Sequence, residues 1–99
     1  MAEVVWSSPA LDDLNGIAEY IAVSNIPAAK KLVQDLFDKI SRLVSHPESG
    51  KRSQELVNLN YREINANPCR IFYKVDGDKV YILHVMRQER DLRRFLLQS

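Results

Sequence analysis

Apolar residues recur at spacings of three and four through the first half of the chain and at alternate positions through much of the second. The first spacing marks amphipathic helix, the second half-buried strand. Val4-Val5-Trp6 is a short run of β-formers and predicts an opening strand. Ser8-Pro9 follows, with Ser8 as N-cap and Pro9 at the first helical position. Asp12 and Asp13 sit early, where the helix dipole favours negative charge. Leu11, Leu14, Ile17, Ala18 and Ile21 carry the helical period to about Val23. Ser24-Asn25-Ile26-Pro27 interrupts and restarts it, with Asn25 as the second N-cap. Ala29, Leu32, Val33, Leu36, Phe37, Ile40, Leu43 and Val44 then predict a helix of about five turns, closed by His46-Pro47 and Gly50. So short a break folds the two helices into an antiparallel hairpin.

After Gly50 the grammar becomes that of strands. Residues 59–64 predict one strand, and Asn65-Ala66-Asn67-Pro68 a turn. Residues 69–75 alternate Ile71, Tyr73 and Val75 against Arg70, Phe72 and Lys74. Asp76-Gly77-Asp78 is a hairpin signal. Residues 80–86 are apolar at nearly every position except His84, as expected of a strand inside its sheet. Residues 91–97, with Leu92, Phe95 and Leu96 on one side, predict a short last helix. The predicted fold is α+β, ordered β-α-α-β-β-β(-α). An antiparallel helical hairpin covers one face of a mostly antiparallel four-stranded sheet.

A chain of 99 residues is one domain, 1–99. The lone Cys69 rules out an intramolecular disulfide and reads as a small buried hydrophobe. No signal peptide pattern and no run near the ~20 apolar residues of a membrane span is visible, so a cytoplasmic location is expected. Charge divides unevenly. Residues 1–50 carry four Lys/Arg against seven Asp/Glu, and residues 51–99 ten against six. A basic second half points toward an acidic partner or nucleic acid. There is no metal-ligand spacing and no phosphate-binding glycine loop, so neither metal nor cofactor is expected.

Arg87, Arg90, Arg93 and Arg94 are dense enough, with Phe95, to form a partner-contacting patch; the alternative is a solvated face paired with Glu89 and Asp91. His84 reads as a satisfied, half-buried histidine or as a proton-transfer group. Arg62 and Arg70 fall on neighbouring strands, where they face one another if the register allows.

The segments Trp6 to Leu14, Ile17-Ala18-Glu19-Tyr20-Ile21, Leu43 through Pro47 to Gly50, Tyr61-Arg62, Cys69-Arg70-Ile71-Phe72-Tyr73, and Ile82 to Arg87 leading to Arg90-Asp91 together resemble the ParE/RelE toxin superfamily, ParE-like branch. The resemblance implies the toxin of a type II toxin–antitoxin pair. RelE-like members cut mRNA on the ribosome; ParE-like members poison DNA gyrase. Both bind a small antitoxin, and the complexes reach DNA through that antitoxin. The partners so implied are a ParD-like or other small antitoxin and DNA gyrase, with ribosome and mRNA as the alternative. Toward the antitoxin the resemblance points to the outer edges of the hairpin, including Ile17, Tyr20 and Phe37. Toward the target, the dense arginine patch of Arg87, Arg90, Arg93 and Arg94 with Phe95 is the expected contact surface. Ribonuclease chemistry needs an acid, a base and positive charge at the scissile phosphate. Where the nuclease branch carries a late Arg and Tyr, this chain has Gln88 and Arg94. No catalytic residue is therefore expected; under the nuclease alternative the set is Arg62, Arg70, His84 and Arg87. A third reading is a non-toxic interaction module.

Overall fold

A computed structural model describes residues 2–52 and 61–88. The elements run β1 (Glu3–Trp6), α1 (Ser8–Ser24), α2 (Ile26–Ser41), a 3-10 turn (Arg42–Val44), β2 (Lys51–Arg52), β3 (Arg62–Ala66), β4 (Cys69–Asp76) and β5 (Lys79–Arg87). The predicted helix at 91–97, the first residues of the strand expected at 59–64, and Glu89, Arg90, Arg93, Arg94 and Phe95 lie outside the described residues.

Helix starts follow local chemistry with one correction. Ser7, not Ser8, caps α1: its backbone is extended and its hydroxyl accepts from the Ala10 amide at 3.2 Å. Ser8 is then the first helical residue and Pro9 the second. Asp12 and Asp13 fall beyond the first turn, so they do not serve the dipole there. Asn25 alone separates the helices. Its N–H donates to the Ile21 carbonyl at 2.8 Å, closing α1, and its Oδ1 accepts from the Ala28 N–H at 3.0 Å, opening α2. One residue thus ends one helix and begins the next.

Among the described residues the sheet has five strands in the order β1-β5-β4-β3-β2, not four. The extra strand is two charged residues, too short to show any period. β1 lies parallel to β5, and every other pairing is antiparallel. β3 continues through Asn65 and Ala66, which pair with Arg70 and Cys69, so the turn contracts to Asn67-Pro68. Both helices pack on one sheet face. Leu14, Ile17 and Ile21 of α1 and Leu32, Leu36 and Ile40 of α2 join Ile71, Tyr73, Val80, Ile82 and Val85 in one core.

The register shifts once, where Phe72 pairs with His84 but Tyr73 pairs with Ile82. Leu83 is the extra residue of a β-bulge. Buried positions along β5 therefore run Val80, Ile82, Val85. Strict alternation from Val80 and Ile82 would drive His84 into the core; the bulge turns it to the other face, with its side chain 58% exposed.

Cys69 is buried, and desolvation raises its thiol from 9.0 to about 11, offset in part by Arg87. Burial likewise raises the Tyr73 phenol, against the hydrogen bond from Gly50. Both groups hold their protons to higher pH when folded. Between pH 9 and 11 the unfolded chain therefore binds fewer protons than the folded one, so stability falls as pH rises. Urea midpoints at pH 8 and pH 10 should show that fall, and Cys69→Ala should flatten it. An unchanged slope in the variant would remove Cys69 from the account.

Candidate functional site

β1 ends at Trp6 while β5 runs on to Arg87, so among the described residues the outer edge of β5 has no strand partner beyond Ile82. Side chains from the start of α1 cover that edge. The Ser7 N–H donates to the Ile82 carbonyl at 3.0 Å and its hydroxyl to the Leu83 carbonyl at 3.1 Å. Asp13 Oδ2 accepts from the Val85 N–H at 3.1 Å and lies 3.3 Å from His84 Nδ1. His84 is thus paired and exposed, held by a carboxylate that also satisfies the backbone.

The four residues of the nuclease alternative are not brought together. Arg62 lies opposite Tyr73, and Arg70 opposite Asn65, so the two arginines point from opposite faces rather than at each other. Arg62 Nη1 donates to the carbonyls of Gly50 at 2.7 Å and Glu48 at 3.2 Å, tying the loop before β2 to β3. Arg70 binds Glu63 Oε2 at 2.6 Å, and its guanidinium stacks 5.0 Å from the centre of the Phe72 ring. His84, opposite Phe72, shares the outer face with Arg70. Arg87, opposite Cys69, is on the helix side, its guanidinium 4.7 Å from the Tyr20 ring of α1. Gln88 continues the pairing, its N–H donating to the Pro68 carbonyl at 2.9 Å.

The three hairpin residues expected at the antitoxin also separate. Ile17 is only 7% exposed and belongs to the core, because the inward face of α1 runs Ala10, Leu14, Ile17, Ile21. Tyr20 is exposed beneath Arg87. Phe37 is exposed on one side and packs on Trp6, the ring centres 5.4 Å apart. The helices instead form a groove on their own, about 470 Å³ in volume, floored by Ala18, Ala22, Ala29 and Val33 and rimmed by Glu19, Ile26, Lys30 and Gln34. Small residues at 18, 22 and 29 create it, and their alternation with the core stripe was the available sequence signal. Val23 and Ile26, at the hairpin tip, extend the apolar surface at 88% and 58% exposure.

Glu63 is a second feature that sequence reasoning passed over. It is 4% exposed, on β3, with Arg70 on one oxygen and Lys51 at 3.4 Å from the other. Among the described residues no group of three His, Cys, Asp or Glu side chains converges as a metal site. No described helix is long and apolar enough to cross a membrane.

Comparison with known proteins agrees with this frame. The profile of the ParE toxin of the type II toxin–antitoxin system parDE matches residues 4–92. Toxin RelE2 of Caulobacter vibrioides is 32% identical over 89 residues, covering 88% of this chain and 92% of that toxin. A chain from the chromosomal ParDE toxin–antitoxin system of P. aeruginosa superposes with a TM-score of 0.72 at 26% identity, covering 88% of this chain and 96% of that one. A two-helix hairpin on a mostly antiparallel sheet, matched over nearly its whole length, defines a toxin of the ParE/RelE superfamily. The chain belongs to the ParE toxin family of type II toxin–antitoxin systems.

Proposed function

We propose that this chain arrests growth in the cytoplasm by binding DNA gyrase, and that its antitoxin neutralises it by laying an amphipathic helix along the hairpin. The observation that carries the first half is the separation of Arg62 and Arg87 from Arg70 and His84 onto opposite sheet faces, with uncharged Gln88 beside them. General acid–base cleavage needs its groups within about 3 Å of one reacting site. A binding inhibitor needs only a presented surface with strong anchors, and Arg87 with Arg90, Arg93, Arg94 and Phe95 is the candidate. The likeness to a toxin named RelE2 supports the alternative, an mRNA endonuclease acting at the ribosome. Pulse labelling after induction distinguishes them. DNA synthesis should fail first under the gyrase reading; failure of protein synthesis first would refute it.

The second half rests on family membership, which implies an antitoxin, and on the groove between α1 and α2. An apolar trough with a mixed Glu, Lys and Gln rim suits the apolar stripe of a helix. Ile26→Glu places a charge at the rim without touching the core. It should leave folding intact and weaken antitoxin binding by about 10-fold or more, because the charge would be buried unpaired in the complex. Calorimetric titration of the variant with the product of the neighbouring reading frame tests this. Wild-type affinity would move the antitoxin elsewhere.

A further inference from the structure

A second cleft lies at the far end of α2 and is cationic. It encloses about 330 Å³ between Lys39 and Arg42, Ser49 and Gly50, and Lys51 on the edge strand β2. Its charges are unevenly matched. The one carboxylate in its lining, Glu63, is 4% exposed, with Arg70 on one oxygen and Lys51 near the other. The Lys39 ammonium donates to a neutral group, the Asn65 carbonyl, at 2.8 Å. Among the described residues neither Lys39 nor Arg42 has a carboxylate within ion-pair reach, although Asp35 and Asp38 each lie four residues earlier on the helix. Bases near a helix C-terminus satisfy its dipole, which accounts for Lys39 and Arg42 separately. It does not account for Lys51, on a different element, closing the same concave space.

We infer that this cleft binds the phosphate group of a small phosphorylated molecule or of a nucleic-acid backbone. The residues lining the cavity include two lysines, of which Lys51 shares its charge with Glu63, and one arginine, and such a set matches a compact oxyanion. The volume, at the low end of ligand-sized cavities, suits a phosphate or pyrophosphate rather than a folded partner. The cleft is also independent of the hairpin groove. Ile26 and Arg42 are sixteen residues apart, about 24 Å along a helix of this geometry. An antitoxin helix in the groove leaves the cleft open, so the inference does not rest on the gyrase reading.

The test uses the purified full-length chain, titrated with inorganic pyrophosphate and, separately, with a short oligothymidylate. Pyrophosphate should saturate one site and shift the amide resonances of Lys39, Arg42 and Lys51. Lys39→Gln with Arg42→Gln should weaken that binding by about 10-fold or more, since each replaced contact is charge-assisted. All these side chains are exposed, and an unchanged melting temperature confirms the fold; Arg42→Gln alone is the milder variant should the pair destabilise it. Lys31→Gln, exposed on the same helix outside the cleft, should bind as wild type. Displacement of pyrophosphate by the oligothymidylate identifies a nucleic-acid backbone as the source, and failure to displace it a free phosphorylated molecule. Wild-type affinity in the double variant, no saturable pyrophosphate binding at millimolar concentration, or tighter binding of a polyglutamate peptide at the same residues would each overturn the inference.

Discussion

Arg70→Ala is expected to destabilise the chain by about 3 kcal/mol. Its guanidinium sits 2.6 Å from Glu63 Oε2, and Glu63 is 4% exposed. Removing one member of a buried pair leaves the other charge without its solvation, which typically costs roughly 3–5 kcal/mol. Arg70 is itself 19% exposed and Lys51 remains near the other oxygen, so the lower end applies. Replacing both partners, Glu63→Leu with Arg70→Met, should recover the wild-type unfolding free energy to within about 1 kcal/mol, because no buried charge is left orphaned. A double variant as unstable as the single one would show that the pair does not carry the effect. The result also bears on function. Loss of toxicity in Arg70→Ala would report a damaged fold before it reported a lost catalytic group, so that variant needs its melting curve beside its activity.

Gly50→Ala is the other large effect. A Cβ there would stand 2.5 Å from the Tyr73 hydroxyl, 2.8 Å from Tyr73 Cε1 and 2.8 Å from the Glu63 carbonyl oxygen. Tyr73 is 0% exposed at the heart of the core, and the carbonyl belongs to a paired strand, so neither yields cheaply. Forcing them apart also strains the hydrogen bond from the Gly50 N–H to the Tyr73 hydroxyl, 2.9 Å long. Overpacking of this kind costs about 3 kcal/mol, a large part of the roughly 5–15 kcal/mol that holds a domain. The melting temperature should drop by about 12–24 °C. Gly16→Ala is the contrast: it is helical and exposed, with nothing within 4 Å, and should gain about 0.5–1 kcal/mol. Equal melting temperatures for the two variants would contradict the packing argument.

The helices were legible because each carries its own period and its own cap. Asn25 can be read from sequence alone, since its neighbours already demand a break. The Ser7 cap was missed by one residue because Ser7 and Ser8 offer the same chemistry, and the extended backbone at Ser7 decides between them. The bulge at Leu83 left no trace in sequence. A strand apolar on both faces has no parity to violate, so the exposed side of His84 could not be predicted. Ile17 was placed outside because α1 carries two apolar faces. One is the core stripe through Leu14, Ile17 and Ile21, the other the groove through Ala18 and Ala22. Sites that depend on convergence were invisible. Lys39, Arg42 and Lys51 share a cleft only because β2 pairs with β3 beside the end of α2. Asp13 finds Val85 across 72 positions because β1 stops short of it.

The most direct measurement is gyrase supercoiling of a relaxed plasmid by purified enzyme and purified chain, run beside translation of a defined mRNA on ribosomes. The gyrase reading predicts lost supercoiling with cleaved plasmid accumulating, and intact mRNA. Codon-specific mRNA cuts at substoichiometric chain, with supercoiling untouched, would contradict it and make Arg62, Arg70, His84 and Arg87 the residues to test next.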